Sequence, residues 1–127
     1  MKRILPLLVL ALLAGCATVG DRETLRFDGE FGPLILDVDW DRGRFTGRSP
    51  DTEGRLSGNA VRTRNGGGTL TGIWTQPRSD QRCDTTRNGS AYWGQFLLNL
   101  DGDYDPEAYW GYCNEPPRRE WELELDE

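Results

Sequence analysis

Between Leu34 and Trp40 every second residue is apolar. Leu34, Leu36, Val38 and Trp40 fall on one face, and Asp37, Asp39 and Asp41 on the other. A period of two belongs to a half-buried strand, because successive side chains of an extended backbone point to opposite faces. An amphipathic helix would repeat its apolar positions every three to four residues instead. The same alternation returns along the chain: Phe45 after an Asp41-Arg42-Gly43 turn, then Leu56, Gly58 and Ala60, and then Leu70, Gly72 and Trp74 after Asn65-Gly66-Gly67-Gly68. Gly94, Phe96, Leu98 and Leu100 continue it up to an Asp101-Gly102 turn, followed by Ala108, Trp110 and Tyr112. Finally, Trp121, Leu123 and Leu125 alternate with Glu120, Glu122, Glu124 and Asp126. With an opening strand near Leu25–Phe27, the expectation is an all-β domain. It would be a single antiparallel meander of about seven to eight strands, closed into a small barrel or left as a sandwich. The acidic last strand reads as an edge guarded by charge. Asp37, Asp39 and Asp41 should face Arg44 and Arg48 across a hairpin.

The first sixteen residues follow another rule. Met1-Lys2-Arg3 precedes an apolar run from Ile4 to Ala14, then Gly15-Cys16, which is the layout of a secretory signal. Eleven helical residues span about 16 Å, half of a bilayer's roughly 30 Å core, and Pro6 interrupts them. Leu13-Ala14-Gly15-Cys16 resembles the lipobox of bacterial lipoprotein precursors at all four positions. The resemblance implies cleavage before Cys16, a diacylglycerol on its thiol and an acylated new amine. Acyl chains, at about 0.8 kcal/mol per buried CH₂, hold a small domain to a membrane without a spanning helix. Ala17 after the cysteine implies the outer membrane, facing the periplasm, in a Gram-negative cell. The division expected is residues 1–15 as signal peptide, 16–23 as lipidated cysteine and polar tether, and 24–127 as the β domain.

Removal of the 15 residues before Cys16 leaves 112 of the 127, with 13 Arg and 21 Asp plus Glu, a net charge near −8. Lys2, the single lysine, would be lost with the signal, and the chain has no histidine. Schiff-base chemistry, Ser-His or Cys-His nucleophiles and His-metal sites are excluded together. An acidic balance without basic clusters also argues against nucleic acid as a partner. Leu, Ile, Val and Phe are only 19 of the 112 residues, about 17 per cent, in the range that signals disorder at high net charge. Five Trp and four Tyr supply the missing apolar surface. Cys83 and Cys113 remain as an even pair in an oxidising compartment. Without a Cys-x-x-Cys spacing or a histidine, a structural disulfide is expected over a redox or metal pair. Closing 29 intervening residues would contribute roughly 3–4 kcal/mol.

Gly72-Ile73-Trp74-Thr75-Gln76-Pro77, Cys83, Tyr92-Trp93-Gly94 and Trp110-Gly111-Tyr112-Cys113 form the most distinctive block. It resembles a pattern in small, uncharacterised bacterial secreted proteins; that resemblance implies the Cys83–Cys113 pairing and no activity. Trp74, Trp93 and Trp110 are therefore read in two ways. They fill the barrel and pack on the disulfide, or they line a cup for an apolar ligand or a sugar. Asp101, Asp103 and Asp105 alternate as calcium ligands would, but Pro106 and Tyr112 depart from the EF-hand pattern, and an Asp/Gly-rich hairpin turn explains them as well. Carboxylates are the remaining acid–base groups, with Glu107 and Glu115 the first pair to test for glycoside hydrolysis. No catalytic residue and no cofactor is assigned. The expected role is binding or structural association in the cell envelope, with an envelope protein or glycan as partner. The alternatives are a carboxylate-dependent hydrolase of envelope polysaccharide and an acidic inhibitor of a cationic enzyme.

Overall fold

A computed structural model describes residues 21–126, so the signal, Cys16 and most of the expected tether lie outside the described residues. The described chain forms one antiparallel sheet of nine strands, nearly closed into a barrel. The strands are β1 (Arg22–Gly29), β2 (Leu34–Asp39), β3 (Arg44–Ser49), β4 (Gly54–Arg62), β5 (Gly68–Gln76), β6 (Tyr92–Leu100), β7 (Pro106–Tyr112), β8 (Arg119–Trp121) and β9 (Leu123–Leu125). Each strand from β1 to β7 pairs with the next, and β9 returns to β1, with Phe27 opposite Leu125. A three-residue 3₁₀ turn, Pro50–Thr52, is the one helical piece among the described residues.

Alternation places the core as expected. Leu34, Leu36, Val38, Phe45, Leu56, Leu70, Phe96 and Leu98 point inward and are buried in one cluster. Glycines make room for the rings. Gly58 and Gly72 face each other in register, with Phe45 opposite the first and Phe96 opposite the second, and a Cβ on Gly58 would sit 2.5 Å from the Gly72 Cα. Bare backbone at these positions lets the two phenyl rings, 6.1 Å apart, occupy the middle of the barrel.

Three expectations change. The acidic C-terminal run is not one edge strand but two short ones, at the two ends of the sheet order. It splits at Glu122, so that β8 bonds to β7 while β9 bonds to β1. Glu30 holds the split: its backbone N–H donates to the Glu122 carbonyl at 3.3 Å, and its carboxylate accepts from the Glu122 N–H at 3.1 Å. A strand that changes partner halfway serves both sides of the seam, which explains nine strands against the seven to eight expected. The charge ladder is also rearranged. Asp39 pairs with Arg22 at 3.2 Å and Arg42 at 3.7 Å, while Asp37 accepts from the Thr24 hydroxyl. The Arg42 N–H, more than either guanidinium, holds the Asp39 carboxyl below its usual range. Finally, β1 begins at Arg22, two residues inside the segment expected as tether.

The meander sorts its connections onto two ends. The turns after β1, β3, β5 and β7 share one end, and those after β2, β4 and β6 share the other with Asp21. The second end is closed. The Trp40 indole lies over Gly68, where a Cβ would collide with the ring, and donates its N–H to Glu23 at 2.8 Å. Tyr104 donates its hydroxyl to the same Glu23 oxygen, and Arg62 donates to the Tyr104 hydroxyl at 2.7 Å. The Arg62 guanidinium stacks 4.4 Å above Trp40 and pairs with Asp21 at 3.6 Å.

Candidate functional site

The first end stays open, and aromatic side chains line it. Trp110 and Tyr112 lie two residues apart on β7 and so project to the same inner face; Trp74 faces them from β5 and Trp121 from β8. Phe31, in the β1–β2 turn, covers the seam with 37% of its surface exposed. The rings meet edge to face: Trp110 lies 4.9 Å from Tyr112, 5.9 Å from Phe31 and 6.0 Å from Trp74, and Phe31 lies 5.5 Å from Trp121. This geometry sets the positive ring edge against the negative face of its neighbour. Trp74 is the most tightly held. Its ring crosses over Gly94, where a Cβ would collide with it at 2.6 Å, and its N–H donates to the Gly111 carbonyl at 3.1 Å. The N–H of Trp121, next to Gly29, is buried without a hydrogen-bond partner.

These rings enclose a cavity of about 350 Å³, within the size range of small-ligand sites. Polar groups rim it: Ser49 and Thr52 from the β3–β4 corner, Gln76 from the end of β5, and Arg78, Ser79 and Asp80 from the β5–β6 connection. Arg119, across from Trp110 on β8, lies over the rings of both Trp110 and Tyr112 and pairs with Glu115 at 3.9 Å.

The long connection from Pro77 to Ala91 is fixed to the outside of the barrel. A disulfide joins Cys83 to Cys113 with the Cα atoms 5.6 Å apart, and Cys83 N–H and Cys113 N–H donate to the carbonyls of Ala91 and Trp93. Cys113 holds a left-handed φ of 55°, a conformation that costs about 1–2 kcal/mol without support and is sustained here by the bridge and that bond. Trp93 lies beneath this connection, only 1% exposed, donating its N–H to Thr85 and capped by Arg87 at 4.8 Å. The three tryptophans named from the sequence thus separate. Trp74 and Trp110 line the cavity, whereas Trp93 packs on the outer face in a small satellite core with the disulfide.

Phe31, Tyr112, Trp121, Gln76 and Arg119 were not singled out from the sequence as site residues. The signal for them was in the meander itself, because the ends of β5 and β7 and the turn after β1 must share one rim. The acidic candidates are dispersed. Glu107 and Glu115 stand at opposite ends of β7, whose five steps from Glu107 to Tyr112 span about 16 Å, beyond the roughly 10 Å that paired carboxylates need. The Asp101 carboxylate accepts from the N–H groups of Asp103 and Asp105, at 2.9 and 3.0 Å, so it caps its own turn. Among the described residues no group of three His, Cys, Asp or Glu could hold a metal. An acidic strip, Asp28, Glu30, Glu107, Glu120, Glu122 and Glu124, follows the outer side of the seam.

No protein-family model, no curated protein and no solved structure matches this chain.

Proposed function

We propose that this protein is a lipid-anchored cell-envelope protein that binds a small ligand in the aromatic mouth of its barrel. The observation that carries the reading is the contrast within one small barrel: five aromatic side chains and a polar rim converge on an open cavity, while the opposite end is closed by a hydrogen-bonded plug. Binding is favoured over hydrolysis because Asp80 is the one carboxylate among the described residues lining that cavity. The anchor rests on the lipobox at Cys16. Asp21 enters β1 from the plugged end, so a lipid five residues earlier would tether that end and direct the mouth away from the bilayer.

The anchor is checked by metabolic labelling with palmitate. Wild type should carry label in the membrane fraction, and Cys16→Ser should accumulate as an unlabelled, uncleaved precursor; normal maturation of that variant would overturn the anchor. Binding is checked by native mass spectrometry after incubation with envelope extract. Wild type should retain an added mass that Trp110→Ala loses, and equal retention by both would remove the mouth from the proposal.

The acidic strip along the seam favours a second reading, association with a cationic protein of the envelope. It predicts capture of such a partner that disappears as salt is raised.

A further inference from the structure

The chemistry of the mouth narrows the ligand, given that the mouth binds one. We infer that its ligand is a neutral saccharide, with a pyranose ring stacked among Trp110, Tyr112 and Phe31 and its hydroxyls served by the rim. Three features of the cavity lead there.

The first is the kind of apolar surface. Apart from Leu56, every large apolar side chain of the lining is aromatic. An acyl chain is bound by long, narrow, aliphatic channels, whereas among the described residues Leu36, Phe45, Leu70, Phe96 and Leu98 fill the barrel below Trp74. A pyranose has the opposite requirement. One of its faces is a patch of C–H groups, which carry slight positive charge and are attracted to the negative face of an aromatic ring. Its size suits a shallow cup rather than a tunnel.

The second is the rim. A sugar presents hydroxyls around its edge, each both donor and acceptor, and needs short side chains of the same dual character beside the stacking platform. Ser49, Thr52, Gln76 and Ser79 supply them. Ser49 and Thr52 already share a hydrogen bond at 3.1 Å, which orders their hydroxyls before any ligand arrives. The Arg119 guanidinium brings further donors to the rings it covers.

The third is charge. Arg78 and Asp80 line the cavity together, and Arg119 is paired with Glu115. No single sign dominates, so the mouth offers an uncharged ring more than it offers a phosphate, a carboxylate or an amine.

The test is isothermal titration of the full lipidated chain in phospholipid nanodiscs with N,N′,N″-triacetylchitotriose, cellotriose and maltotriose, and with indole as a flat ring lacking hydroxyls. At least one trisaccharide should bind saturably below about 10 mM, a weak but specific affinity. Trp110→Ala should weaken it at least tenfold and Gln76→Ala about threefold, while Tyr109→Phe on the outer wall leaves it unchanged. Gln76→Ala removes a rim amide without touching the aromatic packing, so it reports even if Trp110→Ala folds poorly. Saturable, Trp110-dependent binding of indole with no trisaccharide binding would overturn the saccharide assignment and leave the binding function standing. Absence of any Trp110-dependent binding would overturn both.

Discussion

Both ends of the barrel are built around tryptophan, yet one is sealed and the other open. At the sealed end Trp40 finds a carboxylate for its N–H, a glycine beneath its ring and a guanidinium above it. Glu23, Tyr104 and Arg62 direct hydrogen bonds at each other across that end. Tyr104 even accepts a left-handed φ of 62° to reach this network. At the open end the rings pack on one another, and the hydroxyls and amide of the rim surround them rather than plugging the space. A tryptophan at a barrel end is therefore a stopper or a platform according to whether its polar partners are drawn inward over it.

The largest expected effect tests what shapes the open end. Replacing both Cys83 and Cys113 by Ser should lower stability by about 3–4 kcal/mol. It should also loosen the connection that carries Arg78, Ser79 and Asp80, while the sealed end keeps its protection. Hydrogen exchange read at both ends checks this, and uniform loss of protection would contradict the separation. Next in size, Glu23→Ala leaves the Trp40 and Tyr104 donors without their acceptor. It should cost about 2 kcal/mol by denaturant unfolding once its partial exposure is allowed for. Ligand binding at the mouth should survive that change.

A smaller stability effect is expected for Trp110→Ala, about 1–2 kcal/mol, because the ring is only partly buried, at the edge of the core. This variant should thus show the reverse pattern, with binding lost and most stability kept. The mildest effect concerns pH. Burial, reinforced by the hydrogen bond to Glu23, raises the Tyr104 hydroxyl above its ordinary value near 10. The folded state then holds that proton more tightly than the unfolded chain, so this contribution is complete below pH 10 and is lost as pH rises through the raised value. Tyr109, raised by its hydrogen bond to Glu107, acts in the same direction. Thermal midpoints should fall above pH 10, and Tyr104→Phe should make that fall shallower without removing it.

Alternation alone made the strands and their inner faces legible, because burial on one side imposes a period of two whatever the partner strand. It also contained the position of Trp93: with Gly94, Phe96, Leu98 and Leu100 inward, the residue before Gly94 must face out. Reading Trp74, Trp93 and Trp110 as one set overlooked that parity. What alternation could not contain was the partner exchange at Glu122. That exchange depends on Glu30, which is 92 residues away in sequence. The cavity depends on the same nonlocal closure, since Phe31 and Trp121 approach each other only once the seam is made. The expected signal and the expected lipid site at Cys16 lie outside the described residues.

The seam also sets an order of events in time. β1 receives β2 immediately, but its other edge waits for β9, with Phe27 pairing to a residue 98 positions later. Loop closure over that distance is among the most costly contacts in the molecule and is repaid by three short register pairs. A chain emerging N-terminus first therefore carries an unpaired β1 edge until almost all of it has appeared. Arg22, Glu23, Arg26 and Asp28 along that strand are the charges that keep the waiting edge from pairing with another chain.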